Sequence, residues 1–179
     1  MKRLFLVCMM ASFSLVAQAQ FGVGVNGGFH FWPGGTNYFT YGVHATYGGF
    51  AKNKLALRTM YNTVGFSTVE GNTGQEGRFR KHLFTLDGLF FMGSGTMTEG
   101  GLYLAPGVGL ASARTTAGDL DPNSNTATQV YARGIAGYSH VVGDGIAFFG
   151  EGFVNLPVPT GMSGIHGSVG INAGVRKQF

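Results

Sequence analysis

The stretch GLYLAPGVGLASA, residues 101–113, decides the fold. Leu102, Leu104, Pro106, Val108 and Leu110 fall on one side of its alternation, and Tyr103, Ala105, Gly107, Gly109 and Ala111 on the other. Successive side chains of a β-strand point to opposite faces, so a period of two reads as a strand. Soluble barrels, sandwiches and membrane barrels all share such alternation, since each has one apolar face. The second face separates them. A soluble sheet turns Lys, Glu, Asp and Thr to water, whereas this face is small. Small residues suit the crowded interior of an eight-stranded barrel, which side chains fill. The bulky face must then look outward, and lipid is the surrounding that accepts it.

The same pattern opens and closes the region after residue 20. In FGVGVNGGFHF (21–31), Phe21, Val23, Val25, Phe29 and Phe31 alternate with Gly22, Gly24, Asn26, Gly28 and His30. In GSVGINAGV (167–175), Val169, Ile171, Ala173 and Val175 oppose Ser168, Gly170, Asn172 and Gly174. On this basis strands are predicted at 21–32, 38–51, 55–67, 79–92, 101–114, 127–141, 146–156 and 167–179. All are long enough for a tilted membrane-spanning strand of about 9–11 residues. Two are less regular: 79–92 carries apolar residues on both faces at Leu89, Phe90 and Phe91, and 127–141 has a thin outer face. The connections KNK, GSGTMTEG and VGDG form a shorter set, alternating with longer ones at 68–78, 115–126 and 157–166; PGGTN (33–37) is a short exception. The expected fold is an all-β, eight-stranded antiparallel up-and-down transmembrane barrel, with both termini on the side of the short turns.

The opening segment of twenty residues, MKRLFLVCMMASFSLVAQAQ, has a basic start at Lys2 and Arg3, an apolar run and a small-x-small site at Ala17-Gln18-Ala19. It reads as a secretory signal peptide spanning 1–19, with one barrel domain over 20–179. Its apolar run is shorter than the roughly 20 residues of a spanning helix. The one cysteine, Cys8, leaves with the signal, so the exported chain carries no disulfide or thiol chemistry. Without Lys2 and Arg3, 12 − 2 = 10 basic residues face 8 acidic ones, a net charge of +2 that points to no nucleic-acid partner. Charged residues make up 11% of the chain, against about 25% in ordinary soluble proteins, too few to cover a soluble surface. Most charges lie in loops or at strand ends. Aromatics also gather at strand ends (Tyr38, Phe39, Phe50, Phe79, Tyr103 and Tyr138), as an interfacial girdle requires.

With its AQAQ signal ending, the glycine-rich strand LYLAPGVGLA and the terminal strand GSVGINAGVRKQF closing on Phe179, the chain resembles the small outer-membrane β-barrels of Gram-negative bacteria. The likeness is to the compact Bacteroidota type and to the transmembrane barrel of outer-membrane protein A. It implies an outer-membrane location and contact with lipid and lipopolysaccharide. It also implies that the barrel-assembly machinery reads Phe179, Val175, Ala173 and Ile171 as an insertion signal, which Lys177 interrupts. The expected state is a monomer.

Four charges fall mid-strand on the small face: Arg58, Asp87, Arg133 and Glu151. Buried charges must be paired, so an interior ion-pair network is predicted, with Arg58 meeting Asp87 and Arg133 meeting Glu151. The resemblance implies that such a network plugs the barrel. Arg78, Arg80 and Lys81 sit where an outer loop returns to the bilayer, and they form either a contact for lipopolysaccharide phosphates or a solvated basic rim. His166-Gly167-Ser168 has the His-x-Ser spacing of lipid A deacylases, but no Asp or Glu follows it and Ser168 falls on the inner face. No catalytic site, cofactor site or metal site is predicted; His30 and His44 face inward without metal-ligand spacing. The functions in view are a structural or surface-interaction protein, a lipid A or phospholipid-modifying enzyme, and a narrow, porin-like channel.

Overall fold

The computed structural model describes residues 20–31, 37–69, 76–117, 125–158 and 167–179, with side chains except at 66–69, 76–79, 115–117 and 125–126. The proposed signal at 1–19 and His166 lie outside the described residues. Eight strands follow one another: β1 (Gln20–Phe31), β2 (Tyr38–Phe50), β3 (Leu55–Val69), β4 (Glu76–Phe91), β5 (Gly100–Ala117), β6 (Asn125–Val142), β7 (Ile146–Pro157) and β8 (Ser168–Gln178). Each pairs antiparallel with the next, and β8 pairs with β1 to close the barrel. Closure leaves no free sheet edge, so every strand satisfies its backbone groups within the wall, as a lipid surrounding demands.

The wall is staggered. Followed once around through neighbouring strands, the ladder that leaves Phe21 returns to Phe31, ten residues along the same strand (31 − 21). Such a stagger tilts eight strands by about 40° to the barrel axis. Residues at the same depth therefore sit one to two positions apart from their direct ladder partners.

The outer face carries the apolar half of every alternation. Val25, Val43, Leu86, Val108 and Ile171 are exposed along its middle. Phe21, Tyr47, Phe90, Tyr138 and Phe148 ring the end with the termini, and Phe29, Phe31, Phe39 and Tyr41 ring the other. The ten-residue run of β1 between its rings spans about 25 Å along the axis, the height of a lipid-facing apolar band. Tyr38 and Tyr103 do not belong to the girdle: both are buried and point inward, because each shares the phase of the small face on its strand. The two-faced apolar run of β4 divides as alternation requires, Phe90 outward and Leu89 and Phe91 inward.

The walls are of unequal height. β1 and β7 have 12 residues each, whereas β5 and β6 have 18. The β5–β6 ladder continues to Thr115↔Asn125, beyond the apolar alternation, because threonine-rich segments pair well as strands without needing lipid. Pairing is looser at the short-turn end. Gly49 sits at φ 108 in an irregularity between β2 and β3, and Asp144 and Gly145 take positive φ in the β6–β7 turn, where Asp-Gly is favoured.

Candidate functional site: the lumen charge cluster and the basic rim

Alternation places Arg58 of β3, Asp87 of β4, Arg133 of β6 and Glu151 of β7 on the inner face, all buried. Arg58 and Asp87 are direct ladder partners, with Nη2 3.2 Å from Oδ2. Arg58 also crosses the lumen, donating Nη1 to Glu151 Oε2 at 2.9 Å. Arg133 lies 3.8 Å from Asp87 Oδ1 and 3.7 Å from Glu151 Oε1. The four thus form one cluster with Arg58 at its centre, rather than two separate pairs. Tyr103 Oη and Asn172 Nδ2 each donate to Glu151 at 2.9 Å, and Asn26 donates to Asn62 at 2.6 Å nearby. Gly107 is the ladder partner of both Asp87 and Arg133, and a Cβ there would lie 2.3 Å from Asp87 Oδ1. Its missing side chain lets the carboxylate lie across the β5 backbone toward Arg133.

Apolar and aromatic side chains pack around this cluster. Ala56, Leu89, Phe91, Met97, Tyr103, Ala105, Ile135 and Phe153 form one buried group that runs from Met97 at the terminal end past the charges to Phe153, whose ring lies 4.8 Å from the Arg133 guanidinium carbon. Met97 comes from the β4–β5 turn, which folds under the barrel: its N–H donates to Asn53 O at 2.8 Å, and its carbonyl accepts from Gln178 Nε2 at 2.6 Å. On the opposite side Leu83, Ala111 and Tyr131 pack together, and His30 stacks on Tyr38 at 4.8 Å.

Lys81 corrects the expected basic face. It shares the inward phase of Asp87, donating Nζ to Tyr38 Oη at 2.7 Å and lying 4.9 Å over that ring, so it does not present its charge outward beside Arg80. Arg80 is exposed on the outer wall and stands directly opposite Arg114 of β5. The side chain of Arg78 lies outside those described. Just below, Tyr61 Oη and Thr63 Oγ1 lie 2.8 and 3.4 Å from His82 Nδ1 on the same wall.

Ser168 faces the lumen and accepts from Asn155 Nδ2 at 3.1 Å, which puts its hydroxyl away from lipid. Among the described residues no three His, Cys, Asp or Glu side chains gather as metal ligands. Ile171 and Ala173 are exposed on the lipid face, Val175 is half-buried on it, and Lys177 shares it, its Nζ donating to Asp144 O. Phe179 is 72% exposed, and its N–H donates to Phe21 O at 2.8 Å. Besides Tyr38, Tyr103 and Lys81, which the sequence reading placed elsewhere, Arg176 and Met97 are lumen residues that it did not single out. Arg176 continues the inward phase of Asn172 and Gly174, a signal that was there to follow; Met97 lies in a turn, where no phase exists.

No known protein family and no curated protein matches the chain in sequence. Solved structures do match. A major outer membrane protein from Thermus thermophilus aligns at TM-score 0.63 and 13% identity, covering 90% of this chain and 99% of that one. The fold is that of the small outer-membrane β-barrels. Ail, the attachment invasion locus protein of Yersinia pestis, solved with the heparin analogue sucrose octasulfate, aligns at TM-score 0.58 and 13% identity, over 90% of this chain and 97% of Ail. The N-terminal β-barrel domain of Pseudomonas aeruginosa OprF aligns at 0.54 and 17%, covering 90% of this chain and all of that domain (100%). With this architecture and its apolar belt, the chain is an outer-membrane barrel; in such barrels the short turns lie on the periplasmic side and the longer connections outside.

Proposed function

We propose that the barrel is a non-conducting structural or surface-interaction protein, not an enzyme, which holds its external loops at the cell surface. The observation that supports this reading is the Arg58–Asp87–Glu151–Arg133 cluster, which reaches from wall to wall with a buried apolar group packed against it and Met97 at that group's periplasmic end. An eight-stranded barrel has little interior beyond what its side chains fill. In planar bilayers the purified protein is expected to carry no steady current; a reproducible ohmic conductance would overturn the reading. The inward position of Ser168 disfavours a deacylase role at the lipid face.

A second element of the proposal concerns the outer rim. Arg80 and Arg114 stand directly opposite in one ladder and are both exposed, so together they form a positive patch on the outer wall. They stand just beyond the apolar band, at the depth of outer-leaflet phosphates, so we assign the lipopolysaccharide contact to them. The double variant Arg80→Glu/Arg114→Glu should retain less co-purified lipopolysaccharide by native mass spectrometry. Equal retention would remove the contact.

A further inference from the structure

The lipid face is not an even apolar surface. Ala45 of β2 and Thr59 of β3 are ladder partners on it, with the bulkier pairs Val43↔Tyr61 and Tyr47↔Leu57 to either side, so two short side chains leave a dip in the wall. The dip opens into a cleft of about 530 Å³ lined by Val23, Val43, Ala45, Thr59, Tyr61 and Phe84. A second cleft of about 380 Å³, lined by Leu86, Val108, Leu110 and Val130, meets the first at Thr59 and Phe84. Phe84 of β4 borders both, and its ring packs on that of Tyr61 at 4.7 Å. Tyr61 is held in turn, with Oη 2.8 Å from His82 Nδ1. Val23, Ala45, Thr59, Leu86 and Val108 follow one ladder, and the stagger of the wall makes that ladder climb from the periplasmic side at β1 toward the external end. The clefts therefore rise toward Arg80 and Arg114. Arg80, His82 and Phe84 are successive outward residues of β4, and Leu110 and Arg114 share that face of β5. From Arg80 to Phe84 is about 13 Å of strand, or about 10 Å of depth at the tilt of the wall.

A positive patch standing above two adjoining apolar clefts matches a lipid with phosphate above several acyl chains. We propose that the clefts beside Phe84 seat two acyl chains of one lipid A, the phosphorylated and multiply acylated anchor of lipopolysaccharide, with its phosphate at Arg80 and Arg114. This site rests on the lipopolysaccharide contact assigned to that arginine pair, and adds a seat for the chains to a contact for the charge. Lipid tails are as apolar as the wall, so no hydrophobic gain drives a chain into a cleft; close packing against a shaped surface does. Both volumes fall within the roughly 300–1,000 Å³ of pockets that hold small molecules. The Phe84, Tyr61 and His82 rings are already fixed against one another, so the shape exists before the lipid arrives and little ordering opposes binding.

The test mixes the whole delipidated barrel in detergent with purified lipid A, with lipid A stripped of its ester-linked chains by mild alkali, or with phosphatidylethanolamine, and reads retention by native mass spectrometry. The native protein should retain intact lipid A about tenfold better than either other lipid. Ala45→Leu/Thr59→Leu fills the dip with apolar atoms and leaves both arginines in place. It should lower lipid A retention about tenfold while the temperature of the heat-induced gel-mobility change does not fall. Thr59→Leu alone fills the point where the clefts meet, and carries the test if the double variant does not fold. Unchanged lipid A retention in the filled variant, or equal retention of lipid A and phosphatidylethanolamine by the native protein, would overturn the proposal. Arg80→Glu/Arg114→Glu separates the two readings. Loss of lipid A in that variant with full retention in the filled one keeps the charge contact and removes the clefts; the reverse result keeps the clefts and removes the charge contact.

Discussion

Arg58 touches both lumen carboxylates at 2.9 and 3.2 Å, whereas Arg133 stands 3.7 and 3.8 Å from the same two groups. Removing one member of a buried ion cluster strands the others, at a cost of about 3–5 kcal/mol. Arg58→Ala should therefore lower the temperature of the heat-induced gel-mobility change in detergent markedly, and Arg133→Ala should lower it less. Gly137 offers a test that leaves the charges in place. It is the ladder partner of Glu151, and a Cβ there would lie 2.5 Å from the Tyr103 ring. Gly137→Ala should push Tyr103 off Glu151 and cost about 1–3 kcal/mol, read in the same assay. At this scale alternation was enough to place Arg58, Asp87, Arg133 and Glu151 inside, because phase along a strand is local. It was not enough to pair them. The Arg58 to Glu151 contact joins strands on opposite walls, and its length depends on barrel width and stagger, which no single strand encodes.

Among the elements, the β4–β5 turn does more than connect. It carries a methionine into the periplasmic mouth and is tied there through Asn53 and Gln178. Met97→Asp places a charge among Leu89, Phe91 and Ala56, so the turn should swing out and planar bilayers should record brief openings absent from the native protein. The terminal strand has its own test. Deleting Phe179, whose ring is exposed at the end of the lipid face, should lower the amount of protein assembled into the outer membrane, measured by fractionation. Strand existence was legible in all eight places, since alternation over ten residues is a strong signal. The outer ends were less so: β5 and β6 were expected to span 101–114 and 127–141, and run Gly100–Ala117 and Asn125–Val142. Apolar alternation marks only the part of a strand that lipid touches, while hydrogen bonding carries the hairpin farther.

For the molecule as a whole, the lipid face makes depth a measurable coordinate. Val43 lies opposite Val25 in the middle of the band, and Tyr47 lies at its periplasmic edge. Val43→Arg should cost about 2–4 kcal/mol of folding stability in lipid, and Tyr47→Arg about 0–1 kcal/mol, by reversible denaturation in vesicles. The overall architecture was readable from the composition of two faces, because only lipid accepts a bulky exterior around a small-residue interior. The unequal walls described above give this symmetrical-looking cylinder a front and a back. With β3 to β6 at 15 to 18 residues against 12 in β1 and β7, the external rim slopes, and the two tall hairpins stand side by side above the low strands like the back of a chair. The strand wall therefore has a high flank and a low one, so the barrel's rotation about the membrane normal gives its outer end a direction.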